Sequence, residues 1–156
     1  HWARSSIDFV TARELFSGKT STSFAPDAPM SRAMLAAVLA RLDGVDASGG
    51  AAYEKGMAWA VSQGISDGRN PEGQVTREQF VAMLHRYAGS PAATDRELHF
   101  SDAEAVSAYA REAVRWAVEN GILSGYQDGS FAPRGKTTRA HTAAMLARYV
   151  EFLNRQ

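Results

Sequence analysis

An ungapped match of the chain to itself constrains its fold more than any other feature. Trp2–Arg41 lies on Tyr109–Arg148 with roughly 15 of about 40 positions identical, the level of an old internal duplication. The matches fall in blocks: Ser17-Gly18 on Ser124-Gly125, Phe24-Ala25-Pro26 on Phe131-Ala132-Pro133, Arg32-Ala33 on Arg139-Ala140, and Leu39-Ala40-Arg41 on Leu146-Ala147-Arg148. Between them Trp59-Ala60-Val61, Gly64-Ile65, Thr76-Arg77 and Ala82-Met83-Leu84 answer Trp116-Ala117-Val118, Gly121-Ile122, Thr138-Arg139 and Ala144-Met145-Leu146. This middle copy is shorter by about five residues, and no Phe-x-Pro segment is expected in it. The chain thus reads as three units, 1–44, 45–90 and 91–156, with a linker near 92–99.

Each unit has one grammar. In the third, Val106, Tyr109, Ala110, Ala113, Val114, Ala117 and Val118 recur at helical spacing from about Ser107 to Asn120, and Gly121 is placed to end that first helix. A loop rich in turn formers follows, Ser124 to Pro133. Thr138 then caps a second helix whose apolar stripe is Ala144, Met145, Leu146, Ala147, Tyr149, Val150 and Phe152. Thr76 and Gln79 form a capping box in the middle unit, and Ser31 serves as the cap in the first. The expectation is all-α, about six helices, with little room for strands. One helix pair of this size cannot bury its own stripe, so the units must share a core.

Composition narrows the functions. Apolar residues make up 45% of the chain and charged residues 22%, enough for an ordinary core. Lys+Arg and Asp+Glu both number 17, so no bulk field draws the chain to nucleic acid or an anionic membrane, and any anion site must be local. Without cysteine there is no disulfide and no thiolate ligand. No run approaches the roughly 18 apolar residues of a membrane span. The chain starts at His1 with neither an initiator Met nor a signal segment, and reads as an excised piece of a longer protein.

An arginine directly follows each second-helix cap: Arg32, Arg77 and Arg139. A cation there opposes the helix dipole, so three of them call for a reason. One reason is an anion receptor made from free helix N–H groups and a guanidinium fork. The other is an internal one: pairing with a carboxylate such as Asp102 or Glu104, or a stem laid over an aromatic ring. Sequence physics leaves the two open. Arg41, Arg86 and Arg148, near the ends of the same helices, suit the dipole and require no ligand.

Trp2 and Tyr109 hold equivalent positions at the starts of first helices and suit exposed platforms for a sugar face; Phe9, Trp59 and Trp116 read as core. Gly18 and Gly125 sit at equivalent loop points, where a plain turn or close ligand approach would favour glycine. The Asp-Gly turns lack the carboxylate pattern of a calcium loop. The four histidines lack metal spacing, no serine has a nucleophile-elbow context and no carboxylate pair stands out. The chain reads as non-catalytic, with no cofactor and no metal.

Phe100-Ser101-Asp102, Ala113 to Ile122, Ser124 to Pro133 and Thr138-Arg139-Ala140 together resemble a complete S-layer homology (SLH) motif, a family whose motifs come as three tandem copies. The resemblance implies a pseudo-threefold all-helical spindle, with the second helices as a central three-helix bundle and the first helices as prongs. It further implies grooves between units that bind secondary cell-wall polysaccharide, typically through a pyruvylated amino-sugar, on a secreted protein held at the bacterial cell surface or S-layer. The family's Thr-Arg-Ala-Glu motif falls on Ser31-Arg32-Ala33-Met34, Thr76-Arg77-Glu78-Gln79 and Thr138-Arg139-Ala140-His141, with the arginine kept and the final acid absent. Phe-x-Asp matches at Asp102.

On this resemblance two grooves are expected. One uses Arg32 with Trp2 and Gly18; the other uses Arg139 with Tyr109, Gly125 and Asp102. The groove of the middle unit, with Arg77, ranks below them. Two further readings stay open: a protein-interaction module that has lost glycan binding, and an accessory to an enzyme acting on envelope polysaccharide.

Overall fold

A computed structural model describes residues 25–45, 54–95 and 97–156. Those residues form five α-helices: α1 Arg32–Leu42, α2 Glu54–Ser62, α3 Arg77–Tyr87, α4 Arg111–Glu119 and α5 Arg139–Asn154. Two 3₁₀ turns, Ala103–Ala105 and Ala108–Ala110, lead into α4. The fold is all-α, as the periodicity indicates. The first helix expected of the first unit, with Trp2, Phe9 and Gly18, lies outside the described residues.

Helix ends follow from local chemistry. Ser31, Thr76 and Thr138 cap α1, α3 and α5, each hydroxyl accepting the N–H three residues on. The box closes from the other side where the third helical residue can accept: Gln79 Oε1 takes the Thr76 N–H at 2.9 Å and His141 Nδ1 takes the Thr138 N–H at 3.3 Å. Met34 cannot, so α1 has the single cap bond. Glycine at positive φ ends four of the helices. Gly121, at φ 73°, lets the Ile122 N–H reach Ala117 O at 2.9 Å, and Gly64 does the same for Ile65 and Ala60.

A ring of backbone hydrogen bonds joins the approaches to the three capped helices. Met30 N donates to Thr137 O (3.0 Å), Thr137 N to Val75 O (2.9 Å) and Val75 N to Met30 O (2.8 Å). Each helix start then borrows carbonyls from another unit's loop. Arg32 N and Ala33 N donate to Gly73 O and Pro71 O, Arg77 N and Glu78 N to Gly135 O and Pro133 O, and Arg139 N and Ala140 N to Ala28 O and Pro26 O. Helix-start amides have no partner within their own helix. Here the first two of each are filled by a neighbour and the third by the cap hydroxyl, so the expected set of free N–H groups for an anion does not exist.

Packing crosses the expected unit boundaries. α2 lies on α1, and α4 with its preceding 3₁₀ turn lies on α3. At the first contact Gly56 meets Ala37 so closely that a Cβ on Gly56 would come within 2.5 Å of Ala37 Cα. At the second, the buried Glu78 carboxylate of α3 accepts from Ser107 Oγ at 2.7 Å and Ser107 N at 3.1 Å, holding the entry to α4. Trp116, on the same element, packs edge-on to Tyr149 and Phe152 of α5, a core role as expected. Phe80, Leu84, Ile65, Ile122, Phe131 and Leu146 fill the centre.

Met30, Val75 and Thr137 occupy equivalent buried places at the ring, and Thr137 Oγ1 finds no hydrogen-bond partner among the described residues. A buried unsatisfied hydroxyl is destabilising, whereas an apolar group of the same shape is not. Thr137→Val should therefore raise unfolding stability by about 1 kcal/mol, read as a higher urea midpoint. Gly56→Val should lower it by about 1–3 kcal/mol through overpacking.

Candidate functional site

The three first-turn arginines share a sequence position but not an environment. Arg77 is 7% exposed and Arg139 is 4% exposed. The Arg77 Nε–H donates to Phe131 O at 2.7 Å. Its guanidinium lies 4.6 Å from the centre of the Tyr126 ring and 5.2 Å from that of Phe131. Burial lowers its pKa, against the pull of Tyr126 and Asp102. Of the two readings left open by sequence, the aromatic one holds at Arg77.

Asp102 and Gly125 belong to that assembly, and this corrects their expected grouping with Arg139 and Tyr109. The Asp102 oxygens accept the Phe131 and Ala132 N–H groups, each at 2.9 Å. Desolvation pushes its carboxyl up, but the amide bonds outweigh that and hold it below the usual carboxylate range. Gly125 has no room for a side chain, because a Cβ would sit 2.6 Å from both Phe100 Cε1 and Ser130 O. Its close approach is made by Phe100, which stacks on Phe131 at 5.4 Å. Together they brace the loop that covers Arg77.

The middle loop is built differently. Pro71 and Gly73 accept from α1 as Pro133 and Gly135 accept from α3, so Arg69-Asn70-Pro71 stands in the place of Phe131-Ala132-Pro133. As expected, no Phe-x-Pro segment stands there: the proline is kept, the aromatic is replaced, and the missing residues are those of the Tyr126–Ser130 turn. Arg32 Nη1 makes the bond equivalent to that of Arg77, to Arg69 O at 3.3 Å. With no ring stacked on it among the described residues, the Arg32 guanidinium borders a cleft of about 460 Å³.

That cleft is lined by Arg32, the Gly64–Asp67 loop, one face of α3 (Gln79, Ala82, Met83 and Arg86) and Tyr109. The structure thus pairs Tyr109 with Arg32, because α4 packs on the helix of the preceding unit and Glu78 fixes Ser107 two residues before Tyr109. Tyr109 is 55% exposed. Burial of part of its ring and the nearby Glu78 push its phenol pKa up, while Arg32, Arg86 and Arg134 pull it down. The cleft is that of Arg32, while Arg77, of the groove ranked lowest, is enclosed. Trp2 and Gly18, expected beside Arg32, lie outside the described residues.

Arg86 is the residue the sequence argument missed. It was assigned to the helix dipole, yet Gln79, Ala82, Met83 and Arg86 follow the i, i+3, i+4, i+7 spacing of one helix face, and that face is a wall of the cleft. Arg86 Nη1 donates to Ile65 O at 3.2 Å. Neither it nor Arg32 makes an ion pair with a carboxylate of the described residues; Asp67, at the rim, is exposed and accepts the Arg69 N–H at 2.9 Å. No group of metal-ligating side chains occurs among the described residues.

The S-layer homology domain family matches residues 1–34 and 99–143, together half of the chain. The chain belongs to this family. SLH domains are non-catalytic modules that anchor proteins at the cell surface, typically to cell-wall polymers. This SLH chain is 30% identical to an amylopullulanase of Thermoanaerobacterium thermosulfurigenes over 94% of its own length and 9% of that protein. It is 27% identical to exoglucanase XynX of Acetivibrio thermocellus, over 99% of the chain and 16% of that enzyme. It is also 27% identical to cell surface glycoprotein 1 of the same species, over 89% and 7%. The chain spans less than a fifth of each relative. No helix among the described residues is long and apolar enough to cross a membrane.

Substitution should separate the two kinds of arginine. Arg77→Ala removes a buried hydrogen bond and a cation–π contact and should cost about 2–3 kcal/mol of stability; Arg32→Ala, at a partly exposed position with one hydrogen bond to Arg69 O, should cost about 1 kcal/mol or less. Denaturant melts of both report this. Asp102 has a lowered folded pKa, so its contribution is full above the unfolded value and is lost as pH falls through the folded one. The stability gap between wild type and Asp102→Asn should therefore be constant near neutrality and narrow below about pH 4.

Proposed function

We propose that this chain is a non-catalytic anchoring module that binds secondary cell-wall polysaccharide through the Arg32–Tyr109 cleft. One observation carries the reading: a guanidinium and a half-exposed phenol ring share a cleft whose size lies in the range of ligand sites. The ring offers a face to sugar C–H groups, and the guanidinium a fork for a carboxylate. A pyruvylated amino-sugar presents both features, a ketal carboxylate beside an apolar ring face. With the helix amides taken by loop carbonyls, the guanidinium supplies the anion contact alone.

Three units, 1–44, 45–90 and 91–156, around a pseudo-threefold axis are part of this proposal, supported by the ring of Met30, Val75 and Thr137. The ligand set that we assign from the described residues is Arg32, Tyr109 and Gln79. Arg77, Asp102 and Gly125 shape and brace the neighbouring loop. The parent protein is a secreted one at the bacterial surface, and the short span of the relatives that the chain covers supports a larger partner domain, including a polysaccharide-acting enzyme, on the same polypeptide.

Calorimetric titration with a short wall-polymer fragment tests this. Arg32→Ala and Tyr109→Ala should each weaken binding about tenfold, and chemical removal of pyruvate should do the same to wild type. Arg77→Ala, in the folded fraction, should bind close to wild type. Undiminished binding by Arg32→Ala would remove the cleft from the mechanism.

A further inference from the structure

The cleft holds a second guanidinium that a single carboxylate does not use. Arg32 and Arg86 come from different helices and are tied to different carbonyls, Arg69 O at 3.3 Å and Ile65 O at 3.2 Å. Each tether engages one Nη1–H and leaves the remaining donors of a five-donor group. One carboxylate has two oxygens, and one guanidinium fork satisfies both. The other guanidinium then faces the same cleft without an ion-paired carboxylate among the described residues. Asp67 does not supply one, since it lies outside ion-pair distance of both arginines, and its exposure leaves it screened. Its second oxygen is an acceptor suited to sugar hydroxyls.

The aromatic element shares the cleft with both charges. The Tyr109 phenol lies within electrostatic reach of Arg32, Arg86 and Arg134, so a sugar ring seated on Tyr109 has both cleft guanidiniums near it. Ala82 and Met83 form the apolar floor between Gln79 and Arg86. A dipole role for Arg86 at the end of α3 accounts for its charge but not for its place on the wall of the ligand cleft.

We infer that Arg86 is a second anion contact, and that the cleft selects a saccharide segment carrying two acidic groups on adjacent sugars, one for each guanidinium. This rests on the anchoring reading above and adds the charge pattern of its ligand. The second group is a carboxylate or phosphate on the sugar next to the one that Arg32 holds.

The test is calorimetry on the full 156-residue chain with two probes: the methyl glycoside of a pyruvylated amino-sugar, with one carboxylate, and a disaccharide of that sugar linked to glucuronic acid, with two. Wild type should bind the disaccharide about tenfold more tightly. Arg86→Gln should abolish that advantage and leave the one-carboxylate probe within about twofold of wild type, whereas Arg86→Lys should keep part of it. Equal affinity of wild type for both probes overturns the inference, as does an Arg86→Gln loss of the same size on both, the mark of a structural role. Should Arg86→Gln fail to fold, the wild-type comparison and Arg86→Lys still decide. Arg32→Ala separates the two readings: if it leaves the one-carboxylate probe unaffected, the anchoring cleft itself fails, and if it weakens that probe while Arg86→Gln changes neither, only the second contact fails.

Discussion

Three short segments, each two residues ahead of a capped helix, complete one another's backbone hydrogen bonds in a closed ring, and the arrangement of the described residues hangs on that closure. Met30, Val75 and Thr137 each donate to one partner and accept from the other. No pair of them satisfies its own groups, so each depends on the remaining two. The helix starts extend this dependence, because six further amides find carbonyls only across unit boundaries. Buried backbone groups must be paired, and here pairing is possible only when all three segments are present.

The same closure separates enclosed arginines from one that borders a cleft. Loop carbonyls that fill the helix-start amides bring the loops over the first-turn arginines. Where the loop carries Phe131 and Tyr126, the guanidinium of Arg77 is enclosed; where about five residues are lost and Arg69 replaces the phenylalanine, Arg32 lines a cleft. A worn sequence copy thus opens a cleft instead of closing one. Loss of side-chain bulk in one loop is enough, since the backbone contacts through Pro71 and Gly73 are retained.

Much of the fold was legible because it depends on local chemistry. Ser31, Thr76 and Thr138 as caps, Gly121 as a helix stop, Trp116 as core and the Thr76–Gln79 box all appear as the residues indicate. The site was less legible. Tyr109 was grouped with Arg139 because both lie in the third unit, whereas Glu78 of the second unit holds the turn that carries Tyr109. Arg86 was assigned by its place along the helix axis, when its place around the axis mattered. Asp102 and Gly125 stood out by motif, yet what they recognise is the chain's own Phe131 and Phe100.

Helix type, caps, stops and apolar stripes were settled by the order of residues, because each depends on neighbours within a few positions. Which guanidinium meets solvent, which aromatic stands beside it and whether a helix-start amide is available were settled by assembly. Those properties depend on which loop lies across which helix, and the helix starts at Arg32, Arg77 and Arg139 are alike in sequence at the very positions where packing makes them differ.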